Sequence, residues 1–272
     1  MIVQPRLASA VMLLQDRPSG GGIEVFMVRR VIQSDFMPDV YVFPGGSVSK
    51  DDNVAELTEG ICAPVAESPA DAEGRTALGS GMRAAAIREL FEEAGILLAY
   101  RDGNILPIPE ERVAHFDTYR HAFQQRAGSL VEMARAEGLV LATDMLGYFA
   151  HWITPEGMPK RFDTHFFITS APSEQQTVPD RLETSDGIWV EPSVALAGYE
   201  RGTFPLVFAT IYQLRELSAF DSVQAALNHS ATQHVPTRIP ILEMEGETAR
   251  VHLAEDADDR WDVPEHMRRP KA

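Results

Sequence analysis

Three carboxylates share a short stretch of the chain, at Glu89, Glu92 and Glu93. The surrounding residues predict a helix over Met82–Ala94, because apolar side chains recur there at the spacing of one helical face. On that helix all three carboxylates lie on the face opposite the apolar stripe, since residues three and four positions apart are neighbours. Gly95 suits the end of this helix.

This arrangement of like charges is unfavourable by local rules. Carboxylates at these helical spacings repel each other by roughly 0.2–0.5 kcal/mol per pair, and the end of a helix favours cations. A local conflict of this kind is typical of functional sites, and a hard divalent cation such as Mg²⁺ would resolve it with oxygen ligands. The alternative interpretation is a solvated acidic face on a surface helix.

The residues around the glutamates resemble the Nudix box, G-x5-E-x7-R-E-U-x-E-E-x-G-U with U aliphatic. Every specified position of its second half is met, by Arg88, Glu89, Leu90, Glu92, Glu93, Gly95 and Ile96. Phe43-Pro44-Gly45-Gly46 looks like the entry to the box, and Asp52 stands where the family has its first glutamate. Between Asp52 and Arg88 lie 35 residues where the pattern has seven, which indicates an insert of 28 residues.

A long insert at this point is typical of the branch of the Nudix superfamily that includes the vertebrate peroxisomal coenzyme A diphosphatase. The chain is similar to that branch from about residue 25 to residue 253, and Arg161-Phe162-Asp163-Thr164 is the most specific stretch outside the box. This resemblance implies an α+β Nudix fold, a mixed β-sheet sandwiched between α-helices, with additional helices and an insert within the box.

The resemblance also implies that water hydrolyses a diphosphate bond, with Mg²⁺ or Mn²⁺ as the cofactor. Carried over residue by residue, it makes Glu89, Glu92 and Glu93 the metal ligands, and the Gly45 carbonyl a further ligand. Glu92 and Glu93 are also expected to be catalytic. Arg88 is expected to orient a box glutamate by a charge-assisted hydrogen bond.

The general base and the phosphate-binding residues are open to alternatives. The base is either a box glutamate or a carboxylate from a later loop, for which Glu183 is the candidate, and Glu183 is equally compatible with an exposed loop acid. Arg29 and Arg161 are candidates for holding the substrate phosphates. Both could instead be structural arginines that pair with acids.

Coenzyme A members of the superfamily often carry a further signature before the box, with two arginines and a glycine. Arg29 can fill the first arginine position, whereas Asp35 and Asp39 stand at the other two. We expect a coenzyme A or acyl-coenzyme A diphosphatase. A hydrolase of another nucleoside diphosphate derivative (a nucleotide sugar, a dinucleotide or a damaged nucleotide) stays open. A nucleotide-sensing Nudix module without turnover is disfavoured because all three box glutamates are retained.

Periodicity and turn residues indicate the elements that must position the glutamates. Strands are predicted at residues 7–14, 23–31, 41–43, 148–154, 162–169, 187–190, 239–244 and 249–253. Further helices are predicted at residues 109–137 with a break near Gly128, and at 192–197, 205–217 and 222–228. The expected organisation is one Nudix domain over residues 1–254, with the insert at residues 53–80, and a charged mobile tail at residues 255–272.

The amino-acid composition restricts the classes of partner that the chain is expected to bind. The formal net charge of −16, from 24 basic and 40 acidic residues, argues against nucleic acid, since nucleic-acid-binding proteins need basic stripes. No apolar run is long enough to span a bilayer and no signal-peptide pattern is visible, so we expect no membrane association and a cytoplasmic location. The expected partner is a small nucleotide substrate. The oligomeric state stays open, with a homodimer as one option.

Overall fold

The computed structural model describes residues 3–31, 37–178 and 184–264. Its strands are β1 (Arg6–Asp16), β2 (Ile23–Arg30), β3 (Tyr41–Val42), β4 (Gly45–Ser47), β5 (Ala99–Arg101), β6 (Asn104–Ile105), β7 (Val140–Leu141), β8 (Gly147–Ile153), β9 (Phe162–Ser170), β10 (Thr184–Val190), β11 (Thr237–Arg238), β12 (Ile241–Glu245), β13 (Thr248–Leu253) and β14 (Asp256–Val263). Its α-helices are α1 (Lys50–Leu57), α2 (Met82–Ala94), α3 (Glu110–Gln124), α4 (Leu130–Glu137), α5 (Pro192–Glu200), α6 (Phe208–Leu217) and α7 (Val223–Thr232). Within the described ranges, no helix is both long enough and apolar enough to cross a membrane.

Eight strands form a mixed central sheet. Its order is β10-β2-β1-β9-β8-β11, with β3 paired to β2 and β4 paired to β1. β1 and β9 run parallel, as do β8 and β11, whereas the other neighbours are antiparallel. Two small antiparallel sheets, β12-β13-β14 and β6-β5-β7, lie beside it.

The central sheet separates two apolar cores, because successive side chains of a strand point to opposite faces. Val11 and Leu13 of β1 enter the core that contains residues of α1 to α4. Met12 and Leu14 of the same strand enter the core that contains residues of α5 to α7 and of the β12–β14 sheet. The prediction of a mixed sheet sandwiched between helices is therefore confirmed.

One edge of β1 is shared by two partner strands. Residues 14–16 pair with β2, whereas residues 8–10 pair with β4. The second pairing brings the two glycines of the box entry against β1. A Cβ on Gly45 would lie 2.5 Å from the Ser9 carbonyl oxygen, so only glycine allows β4 to approach this closely.

The helix α2 has the predicted bounds and ends at Gly95, which has a φ of 74°. Its own N-cap residue, Gly81, supplies no side-chain hydrogen bond. Glu56 of α1 supplies the acceptors instead. Its carboxylate accepts four backbone N–H groups, from Gly79 and Gly81 at 2.7 Å, Arg83 at 2.8 Å and Ala84 at 3.0 Å. A buried carboxylate at a helix N-terminus satisfies the orphan donors there and opposes the helix dipole.

The insert at residues 53–80 also contacts the β8–β11 edge of the central sheet. Arg75 donates hydrogen bonds to the Val235 carbonyl oxygen at 2.9 Å and to the Thr237 hydroxyl at 2.7 Å. The same side chain contacts Nδ1 of His151 on β8 at 3.0 Å. The insert thus packs from the N-terminus of α2 to the β8–β11 edge.

The prediction of a mobile tail from Glu255 is wrong for its first half. Asp256–Val263 form β14, which pairs with β13, and Trp261 and Val263 are buried in the second core. The end of the strand alternates, with exposed Asp262 between buried Trp261 and Val263, whereas residues 256–260 are exposed or half-buried. Residues 265–272 lie outside the described ranges.

We expect Glu56→Ala to lower the free energy of unfolding by about 2–4 kcal/mol, because it removes a charged acceptor from four backbone donors. Glu59→Ala is the matched control, since Glu59 is an exposed acid three residues further along. Urea denaturation of the two variants measures the difference. Equal stabilities would contradict the capping role of Glu56.

Candidate active site

The guanidinium group of Arg88 joins four parts of the site. It donates two hydrogen bonds to Asp52, at 2.8 and 2.9 Å, and one to the Ser47 carbonyl oxygen at 3.0 Å. Its remaining contacts are with Glu89 at 2.7 Å and Glu92 at 2.8 Å. These are the contacts that an orienting role for Arg88 requires.

Asp52, at the position of the first box glutamate, is fully buried against Arg88. Burial by itself would lower the pKa of the Arg88 guanidinium, but the hydrogen bond to Asp52 and the charges of Glu89 and Asp52 raise it instead. The shorter aspartate therefore still makes a two-bond ion pair with the box arginine. This departure from the pattern leaves the site electrostatically intact.

The three glutamates are not a solvated face. Glu93 is 5% exposed, and the side chains of Glu89 and Glu92 are 13% and 14% exposed. Glu93 accepts the backbone N–H of Gly45 at 3.0 Å, and the carboxylate of Glu89 lies so close to Gly46 that a Cβ there would be 2.4 Å from Oε1. The alternative of an exposed acidic helix face is wrong.

Burial raises the pKa of Glu89 to about 7, with Arg88 opposing the shift and the charge of Glu92 adding to it. A carboxylate with such a pKa is partly protonated near neutral pH. A divalent cation with oxygen ligands would favour its ionised form. The donor set of the site therefore fits a hard metal ion.

The glutamates lie on one wall of a cavity of about 760 Å³, a volume within the range of small-molecule sites. Three arginines outside the box also line it: Arg6, Arg30 and Arg126. They add positive charge to a cavity that the three carboxylates also line. Anionic groups in this cavity could form charge-assisted hydrogen bonds with the arginines.

The structure places the two predicted phosphate-binding arginines elsewhere, and neither lines the cavity. Arg29 pairs with Asp39 at 2.8 Å. Arg161 is buried, and it donates to the carbonyl oxygens of Thr154 and Val3, both at 2.9 Å. Arg29 thus pairs with an acid, as the structural alternative proposed, whereas the described partners of Arg161 are backbone carbonyl oxygens.

The sequence alone could not show that Arg30, and not Arg29, lines the cavity. Arg30 follows Arg29 directly on β2, so the two side chains point to opposite faces of the strand. Only the register of β2 shows which of the two reaches the cavity. Arg6 and Arg126 carry no motif of their own in the sequence.

The predicted base Glu183 and the signature residue Asp35 lie outside the described residues. Among the described residues, the carboxylates that line the cavity are Asp51 and the three box glutamates. Asp51 accepts hydrogen bonds from the Ser129 hydroxyl and the Leu130 N–H at the start of α4. Because Asp51 is engaged with α4, the three box glutamates are the candidates for metal binding among the described carboxylates that line the cavity.

A second group of titratable side chains, which the sequence did not connect, lies at His151, Asp163 and His165. Nε2 of His151 is 2.5 Å from Asp163, and hydrogen bonds from the two histidines hold the pKa of Asp163 below its usual range. Arg75 can only donate, so Nδ1 of His151 accepts and the proton sits on Nε2. That tautomer has no Nε2 lone pair for a metal, and His151 instead contacts the insert through Arg75.

The fold matches that of a solved Nudix structure. A solved Nudix hydrolase from Alicyclobacillus acidocaldarius superposes with a TM-score of 0.68, covering 86% of this chain and 99% of that chain at 23% identity. The profile of the family described as the NUDT19 Nudix domain matches residues 6–217. The chain therefore belongs to this family, as the resemblance of its box predicted.

Curated relatives that carry the name acyl-coenzyme A diphosphatase NUDT19 include proteins from Gallus gallus, Xenopus laevis and Homo sapiens. The Gallus gallus protein is 28% identical over 235 residues, which cover 74% of this chain and 62% of that protein. The Homo sapiens protein is 26% identical over 238 residues, which cover 76% of this chain and 63% of that protein. The chain thus matches less than two thirds of the length of each of these relatives.

Gly46→Ala should displace the Glu89 carboxylate while leaving the fold intact, because the new methyl group would collide with the flexible end of that side chain. We expect Mn²⁺ affinity to fall by at least about tenfold, since one ligand leaves its position. Calorimetric Mn²⁺ titration measures the loss, and circular dichroism checks the fold. Unchanged Mn²⁺ binding would show that Glu89 is not a ligand.

Proposed function

We propose that this chain is a metal-dependent hydrolase that cleaves the diphosphate bond of coenzyme A or an acyl-coenzyme A. The observation that carries this proposal is the convergence of Glu89, Glu92 and Glu93 on one cavity wall, with Arg88 holding two of them. The names of the relatives from Gallus gallus and Homo sapiens supply the substrate class.

Glu89, Glu92 and Glu93 would hold Mg²⁺ or Mn²⁺, with the Gly45 carbonyl as a further ligand. The backbone N–H of Gly45 already binds Glu93, which keeps this glycine beside the carboxylates. When bound, the cation would screen the charge of the phosphoryl oxygens and lower the pKa of a bound water.

Side chains of the protein orient the glutamates, remove a proton and bind the phosphates. Arg88 fixes Glu89 and Glu92, and a box glutamate, Glu92 or Glu93, removes the proton of the attacking water. The water oxygen bonds to one phosphorus as the bridging P–O bond breaks. Adenosine 3′,5′-bisphosphate and a phosphopantetheine fragment leave. The arginines that line the cavity, Arg6, Arg30 and Arg126, bind the phosphate oxygens, and Glu183 stays the alternative base.

One observation supports a second candidate, the hydrolysis of another nucleoside diphosphate derivative. Asp39, at the glycine position of the coenzyme A signature, forms an ion pair with Arg29. The signature arginine is therefore engaged away from the cavity. A coenzyme A enzyme with this sequence must bind its substrate through other cations, such as Arg30.

A cytoplasmic location, which the sequence analysis expected, belongs to the same proposal. Fractionation of cells that express the tagged chain tests this location. Sedimentation analysis of the purified protein distinguishes a monomer from the homodimer that the sequence left open.

Product analysis with Mg²⁺ or Mn²⁺ tests the substrate. The panel contains coenzyme A, acetyl-coenzyme A, ADP-ribose, NADH and a diadenosine polyphosphate. We expect adenosine 3′,5′-bisphosphate from the coenzyme A compounds, and loss of all turnover after chelation with restoration by Mn²⁺. A preference for another compound would favour the second candidate, and tight binding without any turnover would favour a sensor.

Glu93→Gln should reduce kcat by at least about 10³-fold, because it removes a carboxylate proposed both to bind the metal and to act in catalysis. The fold should persist, since the variant relieves repulsion among three buried acids. Glu110→Gln is the control, because Glu110 is exposed at the start of α3. Full activity of Glu93→Gln with Mg²⁺ would overturn the metal assignment.

A further inference from the structure

The cavity that contains the box glutamates also reaches the N-terminus of α6. Four consecutive residues at this turn line it, Val207, Phe208, Ala209 and Thr210. The box helix α2 packs in the core that contains residues of α1 to α4, whereas Phe208 packs in the second core. The start of α6 and the box glutamates therefore belong to helices on opposite faces of the central sheet, and both border the same cavity.

The first turn of α6 offers backbone donors to this cavity. The helix has ten residues, and its N-cap residue Val207 supplies no side-chain hydrogen bond. Its first intrahelical bond runs from the Ile211 N–H to the Val207 carbonyl oxygen at 3.0 Å. Within the described ranges, the N–H groups of Phe208, Ala209 and Thr210 have no acceptor. Free N–H groups at the positive end of a helix dipole favour an anion.

The Thr210 side chain is a second and independent donor at the same place. Thr210 is 4% exposed, and its hydroxyl has no hydrogen-bond partner in the part of the chain that the structure describes. Unlike the hydroxyl of Ser9, which is sealed from solvent, the Thr210 hydroxyl retains accessible surface, and Thr210 lines the cavity. A buried hydroxyl without a partner is unfavourable, and an oxygen atom of a ligand in the cavity would satisfy it.

The surroundings of this turn combine apolar walls with positive charge. Phe208 packs edge-on against Trp152, with 6.0 Å between the ring centroids, and both rings line the cavity together with Trp261. Hydrogen bonds to a charged group are stronger where apolar walls exclude water. Arg6 also lines the cavity, and it lies on the same face of β1 as Met12 of the second core. Its charge is therefore on the α6 side of the sheet.

We propose that the N-terminus of α6 and the Thr210 hydroxyl bind a phosphate monoester of the substrate, separate from the diphosphate that is cleaved. This inference rests on the proposed diphosphatase function and refines it, because it makes the 3′-phosphate of the adenosine moiety a recognised group. The cleaved diphosphate requires the metal-binding glutamates of α2, so a different anionic group occupies the turn on the other face of the sheet. A nucleotide sugar with free ribose hydroxyls has no such group.

Thr210→Val tests the hydroxyl, because valine keeps the shape of threonine and removes the donor. The matched substrate is 3′-dephospho-coenzyme A, which lacks only the phosphate in question. We expect the ratio of kcat/KM for coenzyme A to that for 3′-dephospho-coenzyme A to fall about tenfold, since a hydrogen bond to a charged group is lost. Thr118→Val is the control, because Thr118 is exposed on α3 and lies outside the cavity lining, and its ratio should match that of the wild type.

A binding measurement with the metal chelated separates this inference from the proposed function. Adenosine 3′,5′-bisphosphate has the monoester and no diphosphate, whereas AMP lacks the 3′-phosphate. In calorimetric titrations we expect the wild type to bind adenosine 3′,5′-bisphosphate at least about tenfold more tightly than AMP. Thr210→Val should lose most of this difference.

Val207→Asp tests the backbone donors. Val207 has an extended backbone, with a φ of −104° and a ψ of 159°, which suits an N-cap aspartate. The new carboxylate should accept the free N–H groups of α6 and repel a phosphate from them. We therefore expect a higher Tm together with loss of the preference for adenosine 3′,5′-bisphosphate over AMP, a combination that a merely destabilising substitution would not produce.

The outcomes are distinct. An equal loss of turnover of coenzyme A and 3′-dephospho-coenzyme A in Thr210→Val would assign the turn to the cleaved diphosphate and overturn the separate monoester site. Equal affinity of the wild type for adenosine 3′,5′-bisphosphate and AMP would also overturn that site and leave the diphosphatase proposal standing. A preference for the bisphosphate without hydrolysis of any coenzyme A compound would overturn the diphosphatase proposal and keep the site. If Thr210→Val does not fold, the wild-type titrations and Val207→Asp decide.

Discussion

The geometry of the site depends on a single guanidinium group. Arg88 offers its donors in one plane, and the structure fills that plane with acceptors from α1, β4 and α2. A buried cation that contacts several carboxylates offsets repulsion that would otherwise separate them. Because arginine stays charged at every physiological pH, this arrangement persists even where Glu89 gains a proton. The spacing of the glutamates therefore follows from Arg88 as much as from the helix that carries them.

The insert helps to hold the helix that carries the three glutamates in place. Its first helix supplies Glu56 to the N-terminus of α2, and its later turns supply Arg75 to β8 and β11. α2 packs on one face of the sheet through its apolar side and presents its carboxylates to the cavity. Fixing the start of this helix limits its rotation and translation, so the insert supports the glutamates without contributing a ligand.

The sequence predicted the parts of the molecule that local patterns encode. The bounds of α2 followed from its apolar stripe and from Gly95, and the strands 148–154 and 162–169 agree with β8 and β9 within about one residue. β14 was missed because only its last three residues alternate between buried apolar and exposed acidic side chains. The sequence also did not identify the arginines that line the cavity, for a different reason. The face of β2 from which Arg29 or Arg30 projects depends on how β2 pairs with its neighbours. The place of Trp261 in the cavity wall depends on contacts between residues that are far apart in the sequence.

The carboxylate cluster of the site and much of the apolar wall of its cavity come from different stretches of the chain. The contacts among Gly45, Asp52, Arg88 and the glutamates, and those of Glu56, all lie within residues 45–95. Much of the apolar wall comes from residues 152–263. During synthesis, Arg88 and the carboxylates that it contacts are therefore complete before most of that wall has emerged. Substitutions in the later stretch can change the shape of the cavity while the contacts of the earlier stretch stay the same, so the cavity can diverge without rebuilding the carboxylate cluster.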